Sequence, residues 1–223
     1  MKKLLTILVL TITTSISSQS PIVKKIGEFT EVKVFDLINV TMIKSYKNEV
    51  VIDGSNRRNV QVINKNGKLK IRMEFEESYN GNDTSVILYY TTVDIIDVNE
   101  GAEISVKDTL SQFDIKLKAQ EGGKITAKIK TTYIDVRAVT GGMINLKGTS
   151  KNQDVTIYTG GEYNGEELIT KTTNISINAA GVAKVNATDY VVARVKAGGD
   201  VYIYGNPNKI DKKTVLGGRV KRM

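Results

Sequence analysis

The chain has no cysteine, no histidine and no tryptophan, and only two prolines in 223 residues. Each absence excludes chemistry. Without cysteine there is no disulfide, no lipid-modified cysteine and no thiolate-held zinc or iron–sulfur centre. Without histidine the commonest general base and metal ligand are missing, and a Ser-His-Asp triad cannot be assembled. Such a domain holds together by core burial and backbone pairing alone. Long apolar runs are also missing. Residues 4–12, interrupted by Thr6 and Thr11, fall short of the ~20 residues that cross a bilayer. They follow Lys2 and Lys3 and precede a small polar run, residues 13–18. That order reads as a signal peptide over residues 1–18, cleaved near Ser17 or Ser18, with no transmembrane segment after cleavage.

What is present is β-branched alternation, 19 glycines and an excess of positive charge, +8 from 32 Lys and Arg against 24 Asp and Glu. A basic exported chain suits acidic partners such as lipopolysaccharide, teichoic acid or acidic glycans. Dispersed lysines also have a plainer use, keeping a β-rich surface soluble and its edges unpaired. The basic residues are not gathered with aromatics into a recognisable module, so no nucleic-acid partner is expected.

No long segment shows a helical period, and the chain reads as all-β. In residues 19–92 the runs Val32-Lys33-Val34, Val40-Thr41-Met42-Ile43 and Val50-Val51-Ile52 are strands. Asn66-Gly67 marks a hairpin between Val60-Gln61-Val62-Ile63 and Leu69-Lys70-Ile71-Arg72-Met73. The region reads as a mostly antiparallel meander. From residue 93 to 223 a unit of roughly twenty residues repeats: strand, Gly-rich corner, strand. Inward pairs are Ile115 and Leu117, Val136 and Ala138, Val155 and Ile157, Ile175 and Ile177, and Ala193 and Val195. Corners fall at Gly101, Gly123, Gly142, Gly161, Gly181 and Gly199, where glycine permits positive φ. One such turn cannot bury its strands alone; stacked turns pair every strand at about 4.8 Å and line up like residues inside. A β-sandwich also has many short strands, but it has no reason to repeat one unit in constant phase.

These repeats resemble the auto-transporter adhesin head GIN domain family. The C-terminal run Ala197-Gly198-Gly199-Asp200-Val201-Tyr202-Ile203-Tyr204-Gly205-Asn206-Pro207 is similar to the family's closing rung, and Phe29-Thr30-Glu31-Val32-Lys33-Val34 to its opening strand. The resemblance covers about residues 26–220. It implies a right-handed single-stranded parallel β-helix (a solenoid) with an antiparallel N-terminal strand region, exported to the periplasm, outer-membrane surface or extracellular space. It implies no catalytic residue. After Gly205 there is no room for a translocating barrel, so self-translocation is not expected.

Candidate contacts lie on outward faces. Lys116, Arg137, Thr156, Ser176 and Arg194 form one expected column, and Lys118, Val139, Tyr158, Asn178 and Lys196 the next. Tyr202 and Tyr204 point outward in the last rung, with Tyr158 and Tyr163 in an earlier one; residues 208–220 are expected to cap the end. Lys116, Arg137, Tyr158, Arg194, Lys196, Tyr202 and Tyr204 are thus the ligand-contact set, for an anionic glycan, an envelope polymer or a protein partner. Carboxylates at Asp94, Asp97 and Glu100, and at Glu74, Glu76 and Glu77, lack a hydrolase or calcium motif, and no cofactor is expected. A non-enzymatic, adhesin-like envelope protein is the leading expectation, ahead of a polysaccharide-acting enzyme and a structural periplasmic component.

Overall fold

The computed structural model describes residues 20–223; the signal-peptide reading of residues 1–18 lies outside them. Alternation sets the local structure. In β10 (Asp114–Gln120), Ile115, Leu117 and Ala119 are buried, whereas Lys116, Lys118 and Gln120 face outward. The same rule governs β8 (Ile95–Val98) and β9 (Glu103–Ser111), the 16-residue strands β11 (Lys124–Val139), β12 (Met143–Tyr158), β13 (Glu162–Ile177) and β14 (Val182–Ala197), and then β15 (Asp200–Tyr204), β16 (Lys209–Leu216) and β17 (Arg219–Arg222).

These strands form a β-solenoid of about seven turns. Each turn runs along a first face, rounds a glycine corner and returns along a second face. The first face holds β8, β10, the second halves of β11 to β14, and β16, all parallel. The second face holds β9, the first halves of β11 to β14, β15 and β17, also parallel. Inside, Ile96, Leu117, Val136, Val155, Ile175 and Ala193 stand in one column, and Val98, Ala119, Ala138, Ile157, Ile177 and Val195 in the next. All are buried.

The repeat read from sequence is two residues out of register at its first rung. Leu117, not Ile115, pairs with Val136, and Ile115 pairs with Ile134. Lys118 therefore shares a column with Arg137, and Lys116 faces Asp135. Three alternating apolar residues on β10 left the phase ambiguous, and backbone pairing resolves it.

The N-terminal region is a mixed sheet rather than a simple meander. β1 (Ile22–Lys25), β4 (Glu49–Gly54) and β7 (Thr84–Tyr90) are joined antiparallel. So are β5 (Val60–Lys65) and β6 (Lys68–Met73), through the hairpin at Asn66-Gly67, both at positive φ. But β2 (Glu31–Val34) and β3 (Asn39–Lys44) lie parallel to β6 and β7 on one side and to β8 and β9 on the other. β2 and β3 are thus inserted as a rung between two later ones. Residues 74–83 form a loop with one 3-10 turn, Phe75–Glu77.

Residues 208–223 do not fold over the end as a lid. They form the last turn, with Lys221 pairing beside Tyr202. Two of the aliphatic columns end there in charge, Ala193 being followed by Lys212 and Ile203 by Arg222, while Val191 and Val201 are followed by Ile210 and Val220.

Candidate functional site

Stacking in register turns scattered sequence positions into columns on the first face. One column runs Lys70, Lys33, Asp97, Lys118, Arg137, Thr156, Ser176, Arg194, Lys213. Near its start the charges are compensated. Asp97 is 1% exposed and pairs with Lys33 Nζ at 2.9 Å. Asn99 Nδ2 and Gln120 Nε2 donate to its other oxygen at 3.1 and 3.0 Å. Burial works to lower the Lys33 pKa, but the hydrogen bond to Asp97 and the charges of Asp97 and Glu31 outweigh it, and the net shift is upward. Lys116 pairs with Asp135 at 2.7 Å. These groups line a shallow depression of about 410 Å³.

Further along, Lys118, Arg137, Arg194 and Lys213 have no carboxylate within ion-pair distance among the described residues. The Arg137 guanidinium lies 5.2 Å from the centre of the Tyr158 ring on the next turn, within cation–π range. Arg194 and Lys196, with Lys213, Val195 and Val215, line a second depression of about 610 Å³ near the C-terminal end. The first face thus brings together Arg137, Tyr158, Arg194 and Lys196 of the expected set, keeps Lys116 there in an ion pair, and adds Lys118 and Lys213.

Tyr202 and Tyr204 stand on the second face, away from that group. Tyr202 is half-buried beneath Lys221, whose Nζ is 5.9 Å from the ring centre. Tyr163 points inward and is completely buried. It occupies the column Ile104, Ile125, Ile144, Tyr163, Ala183, Val201, where the following Ala183 is small. Its hydroxyl accepts from Gln153 Nε2 at 2.9 Å, and Gly165, whose Cβ would strike that hydroxyl, leaves the space.

Sequence reading did not find the irregularity beside it. β13 carries extra residues relative to both neighbours, between Asn164 and Ile169. The bulge opens a pocket of about 410 Å³ lined by Asn145, Asn164, Glu166 and Lys184 among others. Asn164 Nδ2 donates to Asn145 Oδ1 at 3.0 Å and to Glu162 Oε1 at 2.9 Å. The run Asn164-Gly165-Glu166-Glu167, polar inside a strand pattern, was the available signal.

The glycine corners have two kinds of demand. Gly101, Gly181 and Gly199 adopt positive φ. At Gly123, Gly142 and Gly161 positive φ falls instead on the preceding pair, such as Thr140-Gly141. There the constraint is contact: a Cβ on Gly142 would sit 2.1 Å from the Ala119 carbonyl oxygen of the turn before.

The acidic clusters serve structure. Asp97 is buried under Lys33, Glu100 turns a corner beside Asp36, and Glu74, Glu76 and Glu77 sit on the 3-10 turn and its flank. Among the described residues no group of three or more acidic side chains is placed to hold a metal ion. Nor is any helix among them long and apolar enough to cross a membrane.

A family model described as "Putative auto-transporter adhesin, head GIN domain" matches residues 28–207. The chain belongs to that family. No curated protein matches it. Among solved structures, a putative adhesin from Bacteroides fragilis NCTC 9343 is 18% identical with a TM-score of 0.83, covering 92% of this chain and 98% of its own. A putative adhesin from Parabacteroides distasonis ATCC 8503 is 17% identical with a TM-score of 0.69, covering 92% and 96%. One from Parabacteroides merdae ATCC 43184 is 16% identical with a TM-score of 0.63, covering 92% and 95%. At these identities the likeness is one of fold. The head GIN family description makes this an adhesin-like protein.

Proposed function

We propose that this head GIN protein is an exported, non-enzymatic component of the bacterial cell envelope that binds an anionic polymer through its first face. The observation that carries the reading is the column of uncompensated cations, Lys118, Arg137, Arg194 and Lys213, held in register by parallel stacking. A stiff stack presents such charges at fixed intervals, so a polyanion meets several at once without ordering the protein. Each contact is weak and screened by salt; several together give useful affinity.

The test is biolayer interferometry of the protein on immobilised lipopolysaccharide and on heparin. Affinity is expected to fall as salt rises from about 0.05 to about 0.3 M, and Arg137→Glu with Arg194→Glu to weaken it at least about tenfold at low salt. Binding indifferent to both salt and charge reversal contradicts the reading. Release of sugar fragments from either polymer would put an enzyme in its place.

A further inference from the structure

The edge opposite the glycine corners is where each 16-residue strand crosses from the second face to the first. A trough of about 760 Å³ runs along it, crossing five successive turns. Beneath it, hydroxyl side chains are tied to one another and to the backbone in two groups, with Ser150, Thr170 and Thr173 buried. Thr131 Oγ1 donates to Ser150 Oγ at 3.0 Å, and Ser150 Oγ to the Asn152 carbonyl at 3.0 Å. Thr170 and Thr173 share a 2.7 Å hydrogen bond, and Thr188 Oγ1 donates to the Thr170 carbonyl at 3.3 Å.

The trough also exposes large apolar side chains. Phe113 is 65% and Ile169 51% exposed. At one end the Phe113 ring lies 5.5 Å from that of Tyr133, tilted by 55°. Lys130, Lys151 and Lys171, all exposed, complete the walls. None has a carboxylate within ion-pair distance among the described residues. Exposed aromatics in contact, beside uncompensated lysines in a trough, suit an interaction site.

The combination selects the occupant. A protein partner needs a contiguous apolar centre, and here lysines and threonines separate the apolar groups. An acidic saccharide matches all three kinds of wall. The C–H face of a sugar ring packs on Phe113 and Tyr133, its hydroxyls meet the exposed Ser111, Thr149 and Thr188, and its carboxylates meet the lysines. The turns recur at about 4.8 Å, close to the advance of one sugar unit in an extended chain.

We propose that this edge is the seat of a linear uronic-acid-type oligosaccharide lying across the turns, with a sugar ring on the Phe113–Tyr133 pair. The proposal rests on the polyanion reading above and goes beyond it by naming a ligand class and a second contact surface, separate from the first-face cations. The experiment is a two-dimensional NMR titration of the full chain with tetragalacturonate. Shifts are expected at Phe113, Tyr133 and Ile169, and Phe113→Ala, at an exposed position that leaves the core untouched, is expected to weaken binding about tenfold. Methyl esterification of the ligand should weaken it further. Unchanged affinity in Phe113→Ala, or equal affinity for the esterified ligand, overturns the proposal. If heparin binding still depends on Arg137 and Arg194 while Phe113→Ala changes nothing, the seat is wrong and the polyanion reading survives. If neither substitution matters, both fall.

Discussion

At the scale of single residues, the corners show what a sequence discloses and what it withholds. The Gly-Gly pairs were legible because glycine recurs at fixed phase. Which glycine is indispensable, and why, was not, since Gly142 is constrained by the carbonyl of a residue 23 positions earlier. Gly142→Ala is expected to cost more than about 2 kcal/mol. Gly141→Ala, which meets nothing within 4 Å but carries a φ of 71°, should cost about 1 kcal/mol, and Gly141→Asn less, since Asn tolerates that conformation. Urea denaturation measures all three, and equal costs would contradict the contact argument. Glu100 offers a signed test. Burial of its carboxyl, reinforced by the charge and hydrogen bond of Asp36, raises its pKa above the ordinary 4.5. The folded state then holds the proton more tightly than the unfolded one, so stability falls as pH rises from the unfolded pKa through the folded one. Glu100→Gln is therefore expected to raise Tm at pH 7 and to lose that gain below about pH 4. An equal Tm difference at both pH values would refute it.

Among elements, β13 and the final turn carry most of the new information. Tyr163 falls in the inward phase, two residues after Gly161 as Ile125 and Ile144 follow Gly123 and Gly142, but it is far larger than its successor Ala183. The bulge, the missing Cβ at Gly165 and the small Ala183 make room for it inside, and none of these follows from period alone. The N-terminal insertion of β2 and β3 between β6, β7 and β8, β9 was illegible for a similar reason, because sequence neighbours are not spatial neighbours there. In the last turn, Lys212 and Arg222 stand where the columns call for aliphatic residues. Charge at these column positions of an edge strand discourages another strand from adding to it. Lys212→Val with Arg222→Ile is expected to increase self-association, seen as a rise in weight-average mass by sedimentation equilibrium. No rise relative to the wild type would show that these charges do not guard the end.

On the scale of the whole molecule, the parallel stack and the basic character were both visible in the repeat and the composition. The column register was not, and the candidate set changed with it: Lys118 and Lys213 join Arg137 and Arg194, while Tyr202 and Tyr204 move to another face. A solenoid is also quasi-one-dimensional, each turn held only by its neighbours. Amide exchange is accordingly expected to be slowest in the central turns of β11 to β13 and faster in β16 and β17, where most side chains are exposed. Uniform protection along the stack would mean a more cooperative unit than nearest-neighbour contacts provide.

All of these expectations depend on neighbouring turns lying in register, with Thr156 directly beside Ser176. The chain has no cysteine of its own, so nitroxides can be placed at Thr156→Cys and Ser176→Cys without interference. Backbones about 4.8 Å apart predict a continuous-wave EPR spectrum strongly broadened by spin–spin interaction, absent from either single label. A doubly labelled spectrum equal to the sum of the two singles would contradict the register, and with it the cation column.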